Sequence, residues 1–267
     1  MTLRISAPLS AFAGAALLVA TAIPAAADSS GAKLDYEVWA GGVRVLEATI
    51  VMRTGEGRYR MELEAELVGP PSWVEDYKLT GYSEGVLGES GPEPEIFRLE
   101  NRSGDEDHWV QITYADGMPT VEADTNLEKK RRTPVEDSQK QDTVDPLTGL
   151  LSLVQQVAAA GSCEGLVPVY DGRRRFDVML TDKGHGELPN SRYNAYAGPT
   201  ERCDVTLKPI AGYRKSGTEQ FPAEVTLQGA NIVDSMPALP VRLDTEIAYG
   251  ALILHLIDYE PIDLATN

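Results

Sequence analysis

Three consecutive arginines, Arg173 to Arg175, are the residues best suited to chemistry in this chain of 267 residues, whose formal net charge is −17 at pH 7. Guanidinium groups bind carboxylates and phosphates through paired hydrogen bonds, so an arginine that faces a groove can recognise an anion. The arginines follow Asp171-Gly172, a dipeptide typical of tight two-residue hairpin turns. The sequence therefore predicts a β-hairpin in which Tyr170 lies opposite Arg173.

Alternation of side chains along the two predicted strands places the arginines on different faces of the hairpin. Arg174 shares a face with apolar residues, namely Val167, Val169, Phe176, Val178 and Leu180. We therefore expect Arg174 to point toward the core or toward a cavity within it. The other face should border solvent or a groove, and it carries Pro168, Tyr170, Arg173, Arg175 and Asp177.

Two interpretations of Arg174 remain open. A buried guanidinium must meet a carboxylate, so Arg174 could form a structural ion pair. It could instead recognise an anion at the bottom of a groove. For the second interpretation, the candidate ligand-binding residues are Arg174, Tyr170, Arg173, Arg175 and Asp177.

The chain contains two cysteines, Cys163 and Cys203. In an exported protein such a pair most simply forms one disulfide. The bond would close a loop of about 40 residues and stabilise the fold by about 4 kcal/mol on the loop-entropy estimate. A zinc site needs four ligands, and His185 is the only histidine between the cysteines. We therefore expect a disulfide, no metal and no cofactor.

Residues 81–85, Gly-Tyr-Ser-Glu-Gly, match the G-x-S-x-G pattern of serine hydrolases. That chemistry needs a strand before the serine and a helix after it. Glycines and prolines between residues 88 and 94 forbid the helix. The pattern therefore does not predict a nucleophile at Ser83.

Other catalytic patterns are equally incomplete. Residues 215–217, Lys-Ser-Gly, resemble a motif of penicillin-recognising enzymes, but the Ser-x-x-Lys at residues 30–33 falls in an expected unstructured leader. The histidines His108, His185 and His255 lack the spacing of a metal site or a catalytic triad. We predict no catalytic residues.

The first 27 residues have the pattern of a secretory signal peptide. Arg4 precedes an apolar run, and Ala25-Ala26-Ala27 provides the small residues of a cleavage site before Asp28. The run is too short to anchor the protein in a membrane. We therefore expect a soluble protein of the bacterial periplasm, without stable membrane insertion. Its strong negative charge argues against nucleic acid as a partner.

The elements that must position these residues are mostly strands. Arg58 to Leu67 alternates most clearly, with Tyr59, Met61 and Ala65 on its apolar face. One helix is predicted between Asp145, a good N-cap that precedes a proline, and Gly161. The expected apolar face of this helix carries Leu147, Leu150, Leu151, Val154 and Ala158. Residues 125–143, which precede the helix, are almost entirely polar, and this composition predicts an exposed loop.

Roughly a dozen strands and one helix indicate a mainly β protein. We predict a strongly curved antiparallel sheet, either an open barrel or spiral-like, packed with one core α-helix. Residues 28–267 should form a single β-rich domain, since no linker divides them.

Four segments together resemble a known family. The most distinctive is Gly161–Val178, and the others are Tyr36–Val45, Tyr193–Cys203 and Leu239–Gly250. They resemble the bacterial exported proteins grouped as domain of unknown function 3108. The resemblance implies a β-rich envelope protein with a disulfide and supplies no catalytic residues. At the level of fold alone, the pattern is also similar to periplasmic lipid carriers with a curved sheet around a helix.

Three hypotheses for function follow. The first is a non-catalytic periplasmic envelope protein whose curved sheet binds a lipid, an acyl chain or another apolar ligand. The second is a hydrolase of an envelope glycan or ester with Arg174, Asp171 and Asp177 near its centre. The third is a ligand-free module that binds another envelope component. The sequence does not predict the oligomeric state.

Overall fold

The computed structural model describes residues 30–104, 106–124, 132–214, 224–234, 236–248 and 250–262. The predicted signal peptide, the expected N-terminus at Asp28 and the Lys-Ser-Gly motif at residues 215–217 lie outside the described residues.

Thirteen strands form one antiparallel sheet with the order β7-β6-β5-β4-β3-β2-β1-β13-β12-β11-β10-β9-β8. The strands are β1 (Ser30–Ala40), β2 (Val43–Gly55), β3 (Arg58–Leu67), β4 (Tyr77–Gly88), β5 (Gly91–Ser103), β6 (Glu106–Ala115), β7 (Met118–Ala123), β8 (Gly165–Tyr170), β9 (Arg175–Leu188), β10 (Gly198–Ala211), β11 (Val225–Ala230), β12 (Leu239–Ile247) and β13 (Gly250–Pro261). The pairing of β1 with β13 joins the two halves of the chain. Every strand pairs with its neighbours in sequence except β7 and β8, which form the two edges of the sheet. The sheet is therefore open.

The inner face of the sheet carries the core. On β3, Tyr59, Met61 and Ala65 are buried while Arg58 and Arg60 point outward, which confirms the predicted alternation. The same alternation on β5 and β6 buries Phe97 against its cross-strand partner Ile112. This pattern confirms the predicted fold class, a curved antiparallel sheet around a core helix.

That helix, α2 (Pro146–Ala160), begins and ends where the sequence predicts. The Asp145 side chain accepts hydrogen bonds from the amides of Leu147 and Thr148, and Gly161 ends the helix in the left-handed region at φ 67°. The helix packs on β8 and on β3, β4 and β5, so the two halves of the sheet enclose it. Its first turns are consequently buried on nearly all sides, including Thr148, Ser152 and Leu153 outside the predicted apolar face.

Two local predictions are wrong. The expected leader at Ser30 is the start of β1, where the Ser30 hydroxyl bonds Thr54 on β2 at 2.9 Å. The polar segment 125–143 contains a short helix, α1 (Asp137–Lys140), in its described part. A capping box precedes α1, in which the amide of Glu136 donates to Oε1 of Gln139 at 3.0 Å, a contact that composition alone does not indicate.

Cys163 and Cys203 form a disulfide with a Cα–Cα separation of 5.5 Å, which confirms the predicted pair. The bond joins the end of α2 to β10. Both cysteines are buried in a second apolar cluster with Leu153, Val167 and Val169. The disulfide therefore attaches the core helix to the second half of the sheet.

Candidate functional site

The inner face of the sheet is covered by α2 in its middle but forms an open cleft of about 390 Å³ at one end of β4 to β7. Its apolar wall is made by Leu79, Leu99, Val110 and Ala123. Leu99 pairs with Val110, and Val110 pairs with Ala123, so these side chains lie side by side on adjacent strands. Leu79, Leu99 and Val110 are only partly buried. Apolar side chains that continue the core are thus left accessible at this end.

The β8–β9 turn, residues Asp171 to Arg174, lies across the cleft and lines it. Gly172 adopts φ 89°, and a Cβ atom there would lie 2.7 Å from Cγ2 of Val110. Only glycine combines this backbone conformation with so close an approach. The turn therefore connects the edge β8–β9 hairpin to the inner face of β6 across the opening of the sheet.

The Asp171 carboxylate organises this turn. It accepts hydrogen bonds from the amide of Arg173 at 2.9 Å, from the amide of Arg174 at 2.6 Å and from Nε of Arg174 at 2.8 Å. The amide of Asp171 in turn donates to the carbonyl of Arg174 at 3.1 Å. An aspartate that captures the two following amides favours a tight turn of this kind.

The predicted register of the hairpin is wrong by two residues. Tyr170 pairs with Arg175 rather than with Arg173, because Asp171 holds Arg173 and Arg174 inside a four-residue turn. An even shift leaves each side chain on its predicted side of the strand. Val169 accordingly pairs with Phe176 on the apolar face.

The expectation that Tyr170 borders solvent or a groove is also wrong. Tyr170 is buried in the main core, 5% exposed, and its hydroxyl donates to the carbonyl of Gly172 at 3.0 Å. Burial raises the pKa of Tyr170 to about 12. Both faces of β8 are covered here, because Val169 belongs to the second apolar cluster. Tyr170 therefore stabilises the turn from the core side and does not line the cleft.

The structure separates the five predicted ligand-binding residues. Arg173 and Arg174 line the cleft. The Arg174 side chain is 34% exposed and forms an ion pair with Asp171, so it faces the cleft while held by its own turn. Arg175 instead donates to Asp177 at 2.6 Å and to the carbonyl of Gln139 at 3.0 Å. Arg175 therefore binds α1 and Asp177, and neither Arg175 nor Asp177 lines the cleft.

Two polar side chains in the cleft, Asn101 and His108, were not predicted as site residues from the sequence. Oδ1 of Asn101 is buried and has no hydrogen-bond partner among the described residues. His108, its cross-strand neighbour, lies with Nε2 3.3 Å from a carboxylate oxygen of Glu106. A buried acceptor without a donor is costly, which makes Asn101 a candidate to accept a hydrogen bond from a ligand. The alternation of side chains along β5 from Phe97 predicts that Asn101 lies on the inner face. It does not predict that this part of the face is uncovered.

A buried polar cluster lies beside the cleft, where α2 meets the sheet. The fully buried carboxylate of Asp145 accepts hydrogen bonds from Ser83 Oγ at 2.9 Å and Thr148 Oγ1 at 2.5 Å, in addition to its two amides. A further hydrogen bond of 2.7 Å joins Thr148 to the hydroxyl of Tyr59. Burial raises the pKa of Asp145.

This cluster shows why the G-x-S-x-G pattern at residues 81–85 does not mark a nucleophile. Ser83 lies within β4 and is fully buried, so its hydroxyl helps to fix the helix N-terminus and cannot meet a substrate from solvent. The carboxylates of the hydrolase hypothesis are also engaged, Asp171 by its turn and Asp177 by Arg175. The described residues include no group of three or more His, Cys, Asp or Glu arranged to hold a metal ion.

Fold and site together define an open, strongly curved β-sheet that encloses a helix and keeps a cleft at one end. None of the helices in the described part of the chain is long and apolar enough to cross a membrane. The family model described as "Protein of unknown function (DUF3108)" matches residues 35–257, so the chain belongs to this family, and the resemblance seen in the sequence is confirmed.

Comparison with solved structures supports the fold. The chain is similar to a β-barrel-like protein of domain of unknown function DUF1849 from Brucella abortus, with a TM-score of 0.52 and 9% sequence identity. The alignment covers 88% of this chain and 98% of that chain. At this identity the likeness concerns the fold alone. No curated protein shows significant similarity to the chain.

Proposed function

We propose that this protein is a non-catalytic, exported envelope protein that binds an amphiphile in the cleft between β4–β7 and the β8–β9 turn. The amphiphile has an apolar chain and an anionic head group. The observation that carries the proposal is the cleft itself, which combines a wall of leucine and valine side chains with Arg173 and Arg174.

The apolar wall supports binding of a hydrocarbon chain. Leu79, Leu99 and Val110 are partly exposed, and the last two also pack against the main core. Removing such surface from water is favourable by about 25 cal/mol per Å². The volume of about 390 Å³ lies in the range of roughly 300–1,000 Å³ that is common for small-molecule sites.

The arginines support an anionic head group. Asp171 orients Arg174 through its Nε atom, and a guanidinium group is of the type that binds a carboxylate or phosphate. The chain is otherwise strongly acidic, with a net charge of −17. Two neighbouring arginines against Asp171, the one carboxylate that lines the cleft among the described residues, therefore give the cleft a local excess of positive charge.

The middle of the sheet is a poorer place for a ligand, because α2 occupies it. Leu147, Leu151 and Val154 of the helix belong to the same buried cluster as Phe97 and Ile112 of the sheet. We therefore place the apolar ligand of the first hypothesis at the open end of the curved sheet.

The proposed location in the bacterial periplasm rests on two features. The first is the signal-peptide pattern of the N-terminal residues. The second is the Cys163–Cys203 disulfide, a bond that persists in oxidising compartments. N-terminal sequencing of the exported protein should begin at Asp28, and a different start would contradict the signal-peptide prediction.

Calorimetric titration of the mature protein with laurate tests the proposal, with lauryl alcohol as an uncharged probe of equal chain length. Arg173→Met should weaken laurate binding by roughly tenfold or more, since hydrogen bonds to charged groups are the strong ones. Binding of lauryl alcohol should change little. Arg60→Met on the outer face is the matched control and should change neither.

A second variant tests the apolar wall. Ala123→Phe should fill the cleft and weaken the binding of both probes, while Ala115→Phe, at the exposed far end of the adjacent strand, should weaken neither. The proposal is wrong if wild-type protein binds no laurate, or if Ala123→Phe binds it as tightly as wild type. Turnover of an envelope ester by the purified protein would favour the hydrolase hypothesis instead.

A further inference from the structure

The loop between β3 and β4 holds two large apolar side chains in solvent. Trp73 is 82% exposed and Val74 is 92% exposed. Adjacent apolar residues this accessible are unusual on a protein that has no partner for them. The two residues lie at the end of a short 3₁₀ helix, Pro70–Trp73.

The loop is built to hold these side chains outward. The amides of Val74 and Glu75 both donate to the carbonyl of Pro71, at 3.1 and 3.2 Å, and the Ser72 hydroxyl donates to the carbonyl of Gly69 at 2.8 Å. A Cβ atom on Gly69 would lie 2.6 Å from the carbonyl oxygen of Arg44, so the base of the loop rests directly on β2. Two consecutive prolines restrict the chain further.

This loop lies at the same end of the sheet as the cleft. Tyr77, which lines the cleft, is the first residue of β4 and follows Val74 by three positions. The carbonyl of Asp76 accepts a hydrogen bond of 2.9 Å from the amide of Gly104, which ties the loop to the β5–β6 turn beside the cleft. The exposed side chains are therefore next to the opening through which a ligand would enter.

We infer that Trp73 and Val74 insert shallowly into a zwitterionic phospholipid surface and bring the cleft to the membrane for exchange of its amphiphile. The inference rests on the proposed function. Tryptophan favours the boundary between head groups and hydrocarbon, where its apolar ring and its N–H group are both accommodated.

The charge of the chain selects the kind of membrane surface. Glu75 and Asp76 follow the apolar pair directly, within a chain of net charge −17. An anionic bilayer would repel this loop, whereas neutral head groups would not. A contact of two side chains is small, so it suits transient exchange better than permanent attachment.

Fluorescence quenching tests the contact without reference to any bound ligand. In the mature protein carrying Trp39→Phe and Trp109→Phe, Trp73 is the only remaining tryptophan. Vesicles of brominated phosphatidylcholine should quench its emission, and added phosphatidylglycerol should reduce the quenching. Absence of quenching by the phosphatidylcholine vesicles would overturn the inference.

Transfer kinetics test the consequence. The double variant Trp73→Ser, Val74→Ser should slow the release of a fluorescent fatty acid to phosphatidylcholine vesicles by roughly tenfold, as expected when two apolar side chains no longer enter the bilayer. Its equilibrium affinity for laurate should stay within about twofold of wild type, because neither residue lines the cleft. Leu166→Ser, an exposed apolar residue on the edge strand β8, is the matched control.

The possible outcomes separate the two proposals. If wild-type protein binds no laurate but Trp73 is quenched, the cleft proposal fails and the membrane contact stands. If laurate binds but the vesicles do not quench Trp73 and the double variant transfers fatty acid as fast as wild type, the membrane contact is wrong. Light scattering that shows a dimer broken by the double variant would assign the loop to self-association and would also overturn the inference.

Discussion

The middle and the open end of the inner sheet face are built from the same strands but differ in what covers them. In the middle, Ser83 of β4 lies beneath α2 and bonds Asp145. Four residues toward the N-terminus of β4, Leu79 occupies the same face but lines the cleft. The alternating pattern is the same at both positions, and only the cover differs. Side-chain polarity along a strand therefore does not distinguish a core position from a binding position.

The two regions also differ in hydrogen bonding. Each carboxylate oxygen of Asp145 accepts two hydrogen bonds, and the group is fully buried. In the cleft, Oδ1 of Asn101 has no partner among the described residues. The full pairing of Asp145 suits a stabilising role, and the unpaired oxygen of Asn101 suits a site that a ligand completes.

The largest expected effect concerns the attachment of the helix. Cys163→Ser should lower the free energy of unfolding by about 4 kcal/mol under oxidising conditions, because the disulfide closes a loop of 40 residues. Urea unfolding measures the difference, and a reductant should destabilise only the wild type. Laurate affinity in the folded variant should be nearly unchanged, since the bond lies at the end of α2. Equal stability of the two proteins would contradict the structural role of the bond.

Asp145 provides the next largest effect and tests the middle region alone. Asp145→Ala should cost about 2–4 kcal/mol, because the helix loses its N-cap and the hydroxyls of Ser83 and Thr148 lose a buried acceptor. Asp145→Asn is the matched control. It keeps an acceptor for the helix amides and removes the buried charge, so it should cost much less.

A cost for Asp145→Ala no larger than for Asp145→Asn would contradict the role assigned to the pairing. Burial raises the pKa of Asp145, so the ionised form is the one disfavoured by folding. The contribution of this group to stability is greatest below the ordinary pKa of 3.8 and is lost as the pH rises through the raised value. Asp145→Asn should remove this dependence.

The closed middle of the molecule is also the part that local sequence patterns predict best. Pro146 and Gly161 mark the ends of α2 because capping depends on residues within one turn of the helix end. The buried face of β3 follows from strict alternation around Met61. The disulfide follows from the presence of two cysteines in a chain with a signal-peptide pattern.

The open end could not be predicted in the same way. The cleft exists because α2 covers Ser83 and leaves Leu79 uncovered, and this depends on contacts between segments more than 60 positions apart, as in the Ser83–Asp145 bond with a separation of 62. The turn differs from the expected hairpin because the Asp171 side chain captures two amides. Asp-Gly alone indicates a turn but does not determine its length.

The smallest expected effect is the response to acid of a site outside both regions. His255 on β13 lies against Tyr193 and bonds Asn194 at 2.8 Å. Burial and the neighbouring Arg242 lower its pKa below the ordinary 6.5, and Asp244 and Glu37 oppose this only partly. The unfolded chain therefore binds a proton more readily than the folded protein.

The stability contributed by neutral His255 is full above pH 6.5 and is lost as the pH falls from there through the lowered pKa. His255→Gln should flatten this part of the dependence of Tm on pH, as measured by calorimetry. His185→Gln is the control, because His185 is exposed beside Glu201. An unchanged slope in His255→Gln would show that other groups cause the loss of stability in acid.

The difference between the two regions is tested most directly by NMR titration of the mature, isotope-labelled protein with laurate. The amide signals of Leu79, Leu99 and Val110 should shift, together with those of the turn from Asp171 to Arg174. The amides of Ser83 and Thr148 in the covered middle should stay in place. Shifts centred on Ser83 and Thr148, or on the outer face of the sheet, would contradict the assignment of the open end as the binding site, as would saturating laurate that shifts no signal.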